Sequence, residues 1–306
     1  MKKNRYENMD KIQTVKGFKD LMEWRKERRG KTKDLSYQVP RVEETEEKFL
    51  QSNRSIATIT WIGHSTFLIQ LNGMNILTDP VWANRLGTDI RLTSPGLAIH
   101  ALPPIDLVLI SHSHYDHLHY SSIKKLKGNP SFFVPIGLGN WFKKKGFSKV
   151  VECNWWEEHQ LNGLNIAFVP AQHWTKRTLT DTNRSHWGGW ILESSDKNTI
   201  YFAGDSGYFR GFREIGNRFA IDYCLMPIGA YEPEWFMADQ HVNPEEAVKA
   251  FLDTGAGIMI PMHYGAYRLA DDTPKEALNR LMAEWKKQEL SMENLKIMKL
   301  GETQRL

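Results

Sequence analysis

The most informative stretch of this sequence is the run Ser111-His112-Ser113-His114-Tyr115-Asp116-His117, which follows a short apolar segment. Residues 105–110 are mostly apolar and rich in β-branched side chains, which predicts a buried strand. Three histidines and one carboxylate therefore leave the end of a strand together. Such side chains at this spacing suit divalent metals such as zinc, whereas a polar turn that is His-rich by coincidence is the alternative. One metal needs only three or four protein ligands, so a metal site predicts further ligands elsewhere in the chain.

Composition limits the class of protein. The chain has 306 residues, 41% of them hydrophobic and 25% charged, which is enough for a substantial core, and no apolar run is long enough to cross a bilayer. Residues 1–30 lack the apolar stretch of a secretory signal, and the only cysteines are Cys153 and Cys224, so we expect a cytoplasmic protein without a disulfide framework. The net charge of +4 is too mild to indicate nucleic-acid binding, and no nucleic-acid partner is expected.

The N-terminal segment is strongly basic. Residues 2–33 carry 12 Lys and Arg against 5 Asp and Glu, and Ile12, Val15, Phe18, Leu21 and Met22 fall at helical spacing. We favour an amphipathic helix that packs on the neighbouring domain, and the alternative is a peripheral contact with an anionic membrane surface. Residues 34–55 are polar and predict a connector. The expected organisation is therefore an N-terminal basic helical extension and connector at residues 1–55, followed by one domain at residues 56–306.

Strands alternate with helices from residue 57 onward, which predicts an α/β fold. A helix is expected at residues 243–254, where Pro244 occupies the first turn and two glutamates favour the helix dipole. The last strand is expected at residues 295–300.

Further ligand-type residues stand where other predicted strands end. His173, Asp205 and His263 each follow an apolar run, and with the first cluster they make seven, the count for two metals that share one carboxylate. The absence of cysteine from this set favours a catalytic site over a closed structural one. His64 and Asp79 also lie at strand ends, and Asp79 is expected behind the metal ligands, because a carboxylate there can accept a hydrogen bond from a metal-binding histidine and fix its tautomer.

In order and context these motifs resemble those of the metallo-β-lactamase fold hydrolases: the H-x-H-x-D-H run is followed by Gln172-His173, Gly204-Asp205 and Met262-His263. The resemblance covers about residues 56–306. Within that family the chain looks most like the N-acylphosphatidylethanolamine-hydrolysing phospholipase D group and its bacterial relatives. The segments that carry this likeness are residues 60–66, 77–80, 114–118, 170–177, 202–208, 231–237 and 240–247. The resemblance implies a four-layer αβ/βα sandwich.

The resemblance also implies a role for each ligand-type residue. Two divalent metals are expected, with zinc favoured and manganese or iron as alternatives. Metal 1 would be held by His112, His114 and His173, metal 2 by Asp116, His117 and His263, and Asp205 would bridge the two. Asp116 and His241 are the expected catalytic residues, His241 by binding the developing anion or protonating the leaving group. His64 and Asp79 would support the ligands, and Lys176 and Arg177 are candidates for phosphate binding.

The function expected from this resemblance is a dinuclear metal-dependent phosphodiesterase of phospholipase D type. Its substrate would be a phospholipid-like or small phosphodiester, attacked by water activated between the metals. The alternative is a lactonase or another carboxylic-ester hydrolase with the same two metals. A binding protein that has lost the chemistry is disfavoured, because no ligand of the set is missing.

Overall fold

A computed structural model describes residues 5–195 and 198–306. In chain order the strands are β1 (Thr58–Gly63), β2 (Thr66–Leu71), β3 (Met74–Thr78), β4 (Arg85–Leu86), β5 (Asp89–Ile90), β6 (Ile105–Leu109), β7 (Gly128–Pro135), β8 (Val150–Cys153), β9 (Glu158–Leu161), β10 (Leu164–Val169), β11 (Gly189–Glu193), β12 (Thr199–Phe202), β13 (Tyr223–Pro227), β14 (Ile258–Met262) and β15 (Thr303–Arg305). The helices are α1 (Phe18–Arg29), α2 (Glu47–Ser52), α3 (Tyr120–Ile123), α4 (Gly139–Lys144), α5 (Gly211–Arg218), α6 (Glu234–Met237), α7 (Pro244–Thr254) and α8 (Pro274–Lys287).

The strands form two large mixed sheets and a short ribbon. The first sheet has the order β15-β1-β2-β3-β6-β7-β8, and β3, β6, β7 and β8 run parallel within it. The second has the order β14-β13-β12-β11-β10-β9, and β12, β13 and β14 run parallel. The ribbon pairs β4 with β5.

Strand β6, which leads into the histidine run, is buried on both faces. Leu107 and Leu109 belong to the core cluster that contains residues of both sheets. Val108 and Ile110 belong to the cluster on the opposite face of the first sheet. Because successive side chains of a strand point to opposite faces, the mostly apolar run at residues 105–110 serves both cores at once.

Helices cover the outer face of each sheet. Side chains of α5, α7 and α8 join the core that contains the second sheet, and side chains of α2, α3 and α4 join the core on the outer face of the first. The layers therefore run helix, sheet, sheet, helix, as the predicted α/β sandwich requires. The predicted helix at residues 243–254 is α7: Asn243 accepts a hydrogen bond from the Glu246 backbone at 2.8 Å, and Gly255 ends the helix in the left-handed conformation.

The N-terminal helix packs on the domain through a narrow apolar face. In α1, Trp24 is buried against Ala230, Phe236, Met237 and Ala270. The helix is shorter than the predicted apolar pattern, because Ile12 and Val15 precede its first turn. No helix in the described ranges is both long and apolar enough to cross a bilayer.

The prediction of a last strand at residues 295–300 is wrong. Leu295 and Leu300 form only isolated bridges, to Met259 and Arg41, and the last strand is β15. The side chains of Leu295, Met298 and Leu300 are buried in the core. The apolar pattern therefore indicates that this segment is buried, although its backbone does not form a strand.

The parallel strands bring the functional residues to one edge of the sandwich. Asp79 follows β3, the histidine run follows β6, Asp205 follows β12 and His263 follows β14. Strand β10, which precedes His173, runs in the direction of β12 because both are antiparallel to β11. Carboxyl ends of strands with a common direction meet at one edge, which is where α/β proteins place their sites.

Candidate metal centre

Three histidines converge at the first group of the site. Nε2 of His112 lies 2.9 Å from Nδ1 of His114, and Nε2 of His173 lies 3.1 Å from the same atom. These three nitrogens lie within 4.8 Å of one another and can hold a metal ion. Two of the side chains come from the run after β6 and the third from the end of β10.

The second group joins two histidines to a carboxylate. Nε2 of His117 and Nε2 of His263 lie 3.3 Å apart, and Oδ2 of Asp116 lies 3.3 Å and 3.5 Å from them. His64 completes this group through its Nε2, which lies 3.0 Å from the same Asp116 oxygen. The run after β6 therefore divides between the two groups.

Asp205 lies between the groups. Its Oδ2 is 3.1 Å from Nε2 of both His117 and His263, and 3.9 Å and 4.0 Å from Nε2 of His112 and His173. The side chain is buried, and its other oxygen has no hydrogen-bond partner in the structure. A carboxylate in this position has one oxygen in reach of both groups, which is the arrangement a bridging ligand needs.

The donor sets fit divalent cations. Nitrogens bound tetrahedrally to zinc at about 2.0–2.1 Å lie roughly 3.3 Å apart, close to the spacings within both groups. Burial lowers the pKa of His112 and His173 well below the ordinary range and that of His114 to about 4, so this group is neutral and offers lone pairs. Burial opposes protonation of His263 too, but the carboxylates of Asp205 and Asp116 raise its pKa to about 9. The negative charge of these carboxylates is balanced by protons on His263 in the absence of metal, and a bound cation would balance it in their place.

Hydrogen bonds behind the ligands fix which nitrogen faces the centre. Asp79 Oδ2 accepts from Nδ1 of His117 at 2.6 Å, and Ser111 donates to Asp79 through its backbone and its hydroxyl. The Ser111 hydroxyl also lies 2.9 Å from Nδ1 of His112, and the Gln240 carbonyl accepts from Nδ1 of His173 at 2.9 Å. With Nδ1 occupied in each case, Nε2 is left for the centre. Asp79 contacts His117 directly, and its supporting role for a metal ligand stays a prediction.

Three of these strand-end residues have a positive φ, and for Asp79 it is +32°. His64 has φ +55° and His263 has φ +61°, in the left-handed region that side chains with a Cβ rarely adopt. The two are linked directly, because the His263 amide donates to the His64 carbonyl at 3.3 Å. Such strain at a cluster of ionisable residues is typical of a functional site.

The two basic residues after His173 differ in their contacts. Lys176 lines a cavity beside the centre. Arg177 instead donates through Nη1 to the backbone carbonyls of Ser113 at 2.6 Å and Leu118 at 2.9 Å, and its guanidinium stacks on the Tyr115 ring. Its contacts hold the histidine run in place, and the phosphate-binding role predicted for it stays a prediction.

That cavity has a volume of about 410 Å³ and opens beside the first group. His114 and His241 line it, and its other lining residues are mainly apolar: Val15, Phe18, Leu21, Trp24, Trp174, Phe236, Met237 and Leu269. His241 Nδ1 is buried without a hydrogen-bond partner, 3.9 Å from Asp205 Oδ2. The structure therefore brings His241 to the centre together with the seven predicted ligands.

Sequence reasoning assigned no role to several residues that contact the site. Ser111 was visible as part of the run, but nothing in the pattern indicated its bond to Asp79. Asn8 and Thr14 bind the backbone of His173 from more than 150 positions away, and no local signal in the sequence could have found them. Gln240 acts through a backbone carbonyl, which carries no sequence signal at all.

Comparison with known proteins identifies the family of this chain. The family model for the beta-lactamase superfamily domain matches residues 74–264. An uncharacterized protein of Mycobacterium tuberculosis is 38% identical over 246 residues, which cover 76% of this chain and 65% of that protein. The N-acyl-phosphatidylethanolamine-hydrolyzing phospholipase D 1 of Caenorhabditis elegans is 37% identical over 246 residues, 73% of this chain and 69% of that protein. This chain thus spans about 65% of the length of the mycobacterial relative.

A solved structure shows the same fold. A metallo hydrolase from the archaeon Ignicoccus hospitalis superposes with a TM-score of 0.63 at 23% identity, over 82% of this chain and 99% of that one. The expected fold class and the expected family are both confirmed. The chain belongs to the metallo-β-lactamase superfamily, and its relatives within that family include N-acyl-phosphatidylethanolamine-hydrolysing phospholipases D.

Proposed function

We propose that this protein is a dinuclear metal-dependent phosphodiesterase of phospholipase D type, and that its substrate is a phosphodiester with an apolar tail. The observation that carries the proposal is the apolar cavity beside His114 and His241. A soluble polar phosphodiester would gain little from that lining, whereas each methylene group buried there contributes about 0.8 kcal/mol. The C. elegans relative is named for hydrolysis of an N-acylated phospholipid, which has such tails.

The metals proposed here are zinc ions, held by His112, His114 and His173 in the first group and by Asp116, His117 and His263 in the second, with Asp205 between them. Imidazole and carboxylate donors without cysteine suit a catalytic zinc site. When bound, two such cations lower the pKa of a water molecule and polarise the phosphoryl oxygen.

The side chains of the cavity would bind and orient the substrate. In hydrolysis the water oxygen bonds to phosphorus, the bond from phosphorus to the leaving alcohol breaks, and the alcohol oxygen takes up a proton. Burial lowers the pKa of His241 to about 4, so its imidazole is neutral at pH 7 and offers one N–H donor to the oxygen that gains charge. Lys176, at the wall of the cavity, would attract the phosphate.

The proposal is tested by hydrolysis assays with two equivalents of zinc. The substrates are a long-chain N-acylphosphatidylethanolamine in mixed micelles, short-chain analogues of it, a chromogenic phosphodiester and a simple lactone. We expect kcat/KM to rise about fourfold per added methylene until the cavity is filled, which corresponds to about 0.8 kcal/mol each. Asp116→Ala and His263→Ala should abolish turnover.

The matched control is His119→Ala. His119 lies two residues after the histidine run and bonds to Ser122 at 2.8 Å, outside both ligand groups, so its removal should leave turnover in place. Absence of phosphodiester hydrolysis in the zinc-loaded protein would overturn the proposal. So would a kcat/KM for the lactone above that for every phosphodiester, which would favour a carboxylic-ester hydrolase.

We further propose that the protein works in the cytoplasm and touches anionic membranes through α1. In support, Phe18 is 75% exposed and Met22 46% exposed on one side of the helix, and Lys19, Arg25 and Arg29 are exposed around them. Exposed apolar side chains among basic ones suit a membrane surface with negative charge. Because Phe18 also lines the cavity, contact at this point would bring the lipid to its mouth.

Co-sedimentation with vesicles tests this contact. The intact protein should bind vesicles that contain phosphatidylglycerol and lose binding in high salt, whereas Phe18→Asp/Met22→Asp should bind weakly at any salt. Leu179→Asp is the control, because Leu179 is 92% exposed but lies in the loop between β10 and β11 and not on α1. Equal binding by the double variant and the intact protein would contradict the proposal.

A further inference from the structure

The side chain of Asn8 pairs with the backbone of His173 at both of its polar groups. Asn8 Nδ2 donates to the His173 carbonyl at 2.9 Å, and the His173 amide donates to Asn8 Oδ1 at 2.9 Å. Oδ1 also accepts from the Trp187 indole at 3.0 Å, and Nδ2 donates to the Ile12 carbonyl at 3.1 Å. Two donors meet the oxygen and two carbonyls meet the nitrogen, so an amide fits here and a carboxylate does not.

Thr14 adds a second bond to the same carbonyl. Its hydroxyl donates to the His173 oxygen at 2.9 Å. Asn8 is 7% exposed and Thr14 is 2% exposed, so these bonds are shielded from water. A buried hydrogen bond that loses one partner costs more than the bond itself contributes, because the remaining group stays unsatisfied.

The same segment also contacts the loop that orients the His173 ring. Lys16 forms an ion pair with Asp239 at 2.7 Å, and the Asp239 carbonyl accepts from Gln172 Nε2 at 3.0 Å. The next residue, Gln240, accepts the hydrogen bond from His173 Nδ1. Residues 8–16 therefore hold both the backbone of His173 and the loop that determines which ring nitrogen faces the centre.

We propose that Asn8 and Thr14 are positioning residues for His173, and that by holding it they raise the metal affinity of the first ligand group. This inference rests on the proposed metal-dependent function. The other two histidines of that group belong to the run that Arg177 and Asp79 hold from inside the domain. His173 follows β10 in a separate loop, and its backbone is held by the N-terminal segment. Residues 8–16 lie outside the region matched by the family model, so this contact is a feature of the chain beyond the matched domain.

Zinc affinity, measured by chelator competition on the full-length protein, tests the inference. Supporting partners of metal ligands typically contribute about 10–100-fold in affinity, so Asn8→Ala should weaken one of the two zinc sites by that factor. The weakened site should be the one that His173→Ala removes, and the site that His263→Ala removes should change less. Thr14→Val removes the hydroxyl and should act in the same direction, whereas Thr14→Ser keeps it and should retain wild-type affinity.

Asn53→Ala is the matched control. Asn53 is 6% exposed and uses its amide in a similar way, with bonds to the Ile56 carbonyl and to Gln70, both at 2.8 Å, but it lies away from both ligand groups. It should lower stability and leave both zinc affinities unchanged.

Two results would overturn the inference: wild-type zinc affinity in both Asn8→Ala and Thr14→Val, or an equal loss in Asn53→Ala. If Asn8→Ala does not fold, the Thr14 pair decides alone, because Thr14→Val replaces the hydroxyl with a methyl group, whereas Thr14→Ser keeps the hydroxyl and loses only the methyl group. Since the readout is zinc binding, a protein that binds two zinc ions and hydrolyses no phosphodiester would contradict the proposed function and not this inference.

Discussion

Replacing Arg177 with lysine separates a structural role for this residue from a substrate-binding one. Its Nη1 donates to the carbonyls of Ser113, His114 and Leu118, at 2.6, 3.4 and 2.9 Å, and these carbonyls belong to the histidine run and the residue after it. Hydrogen bonds to charged groups contribute about 1.5–3 kcal/mol each. The lysine ammonium ends one bond short of the Nη1 position and lacks the planar guanidinium that stacks on Tyr115, so it cannot reproduce these contacts.

We therefore expect Arg177→Lys to lower the free energy of unfolding by about 2–4 kcal/mol, which for a chain of this length lowers the melting temperature by roughly 3–6 °C. The assay is thermal unfolding with saturating zinc, alongside steady-state kinetics. Lys176→Met is the control: Lys176 lines the cavity, so this variant should raise KM and leave the melting temperature in place. A wild-type melting temperature for Arg177→Lys, together with a KM raised about tenfold or more, would refute the structural role and favour phosphate binding.

Three other variants make further predictions. His241→Gln should lower kcat by about 10²–10⁴-fold with zinc content unchanged; loss of zinc instead would make His241 a ligand. Asp79→Asn weakens the hold on His117 and should reduce the affinity of one zinc site by about 10–100-fold in chelator competition, so an unchanged affinity would contradict its supporting role. Burial holds the pKa of His186 at about 3, so below pH 6.5 the unfolded chain binds one more proton and stability falls as the pH falls. His186→Phe, which keeps an aromatic ring against Tyr6, should remove about 2 kcal/mol of the stability lost between pH 7 and pH 5 in urea titrations, and an unchanged pH dependence would contradict this.

Much of the residue cluster at the candidate metal centre was predictable from the sequence, because its members are close together in the chain or follow a strand. The run at residues 111–117 places four ligand-type residues within one loop, and His173, Asp205 and His263 each come after an apolar segment. Strands of common direction bring these ends to one edge of the sandwich, so recognising the strands is enough to predict that the residues lie close together. The parallel core strand β6 was recognisable because burial on both faces leaves a nearly continuous apolar run.

Other features depend on tertiary contacts that a pattern does not encode. The apolar residues at 295–300 were predicted as a strand, but they reach the core from irregular backbone. Arg177 follows a ligand in sequence, and only the folded chain shows its guanidinium on the carbonyls of a loop 59–64 positions away. The link from Asn8 to His173 spans 165 positions. Contacts between residues so far apart in the sequence can be identified only once the fold is known.

The proposed function requires two metals in one cluster of side chains, and anomalous diffraction from crystals of the zinc-loaded protein would locate them. We expect two zinc peaks about 3.5–4 Å apart. One should contact His112, His114 and His173, the other Asp116, His117 and His263, with an Asp205 oxygen between them. A single peak, or two peaks that share no contact with Asp205, would contradict a two-metal centre bridged by this carboxylate.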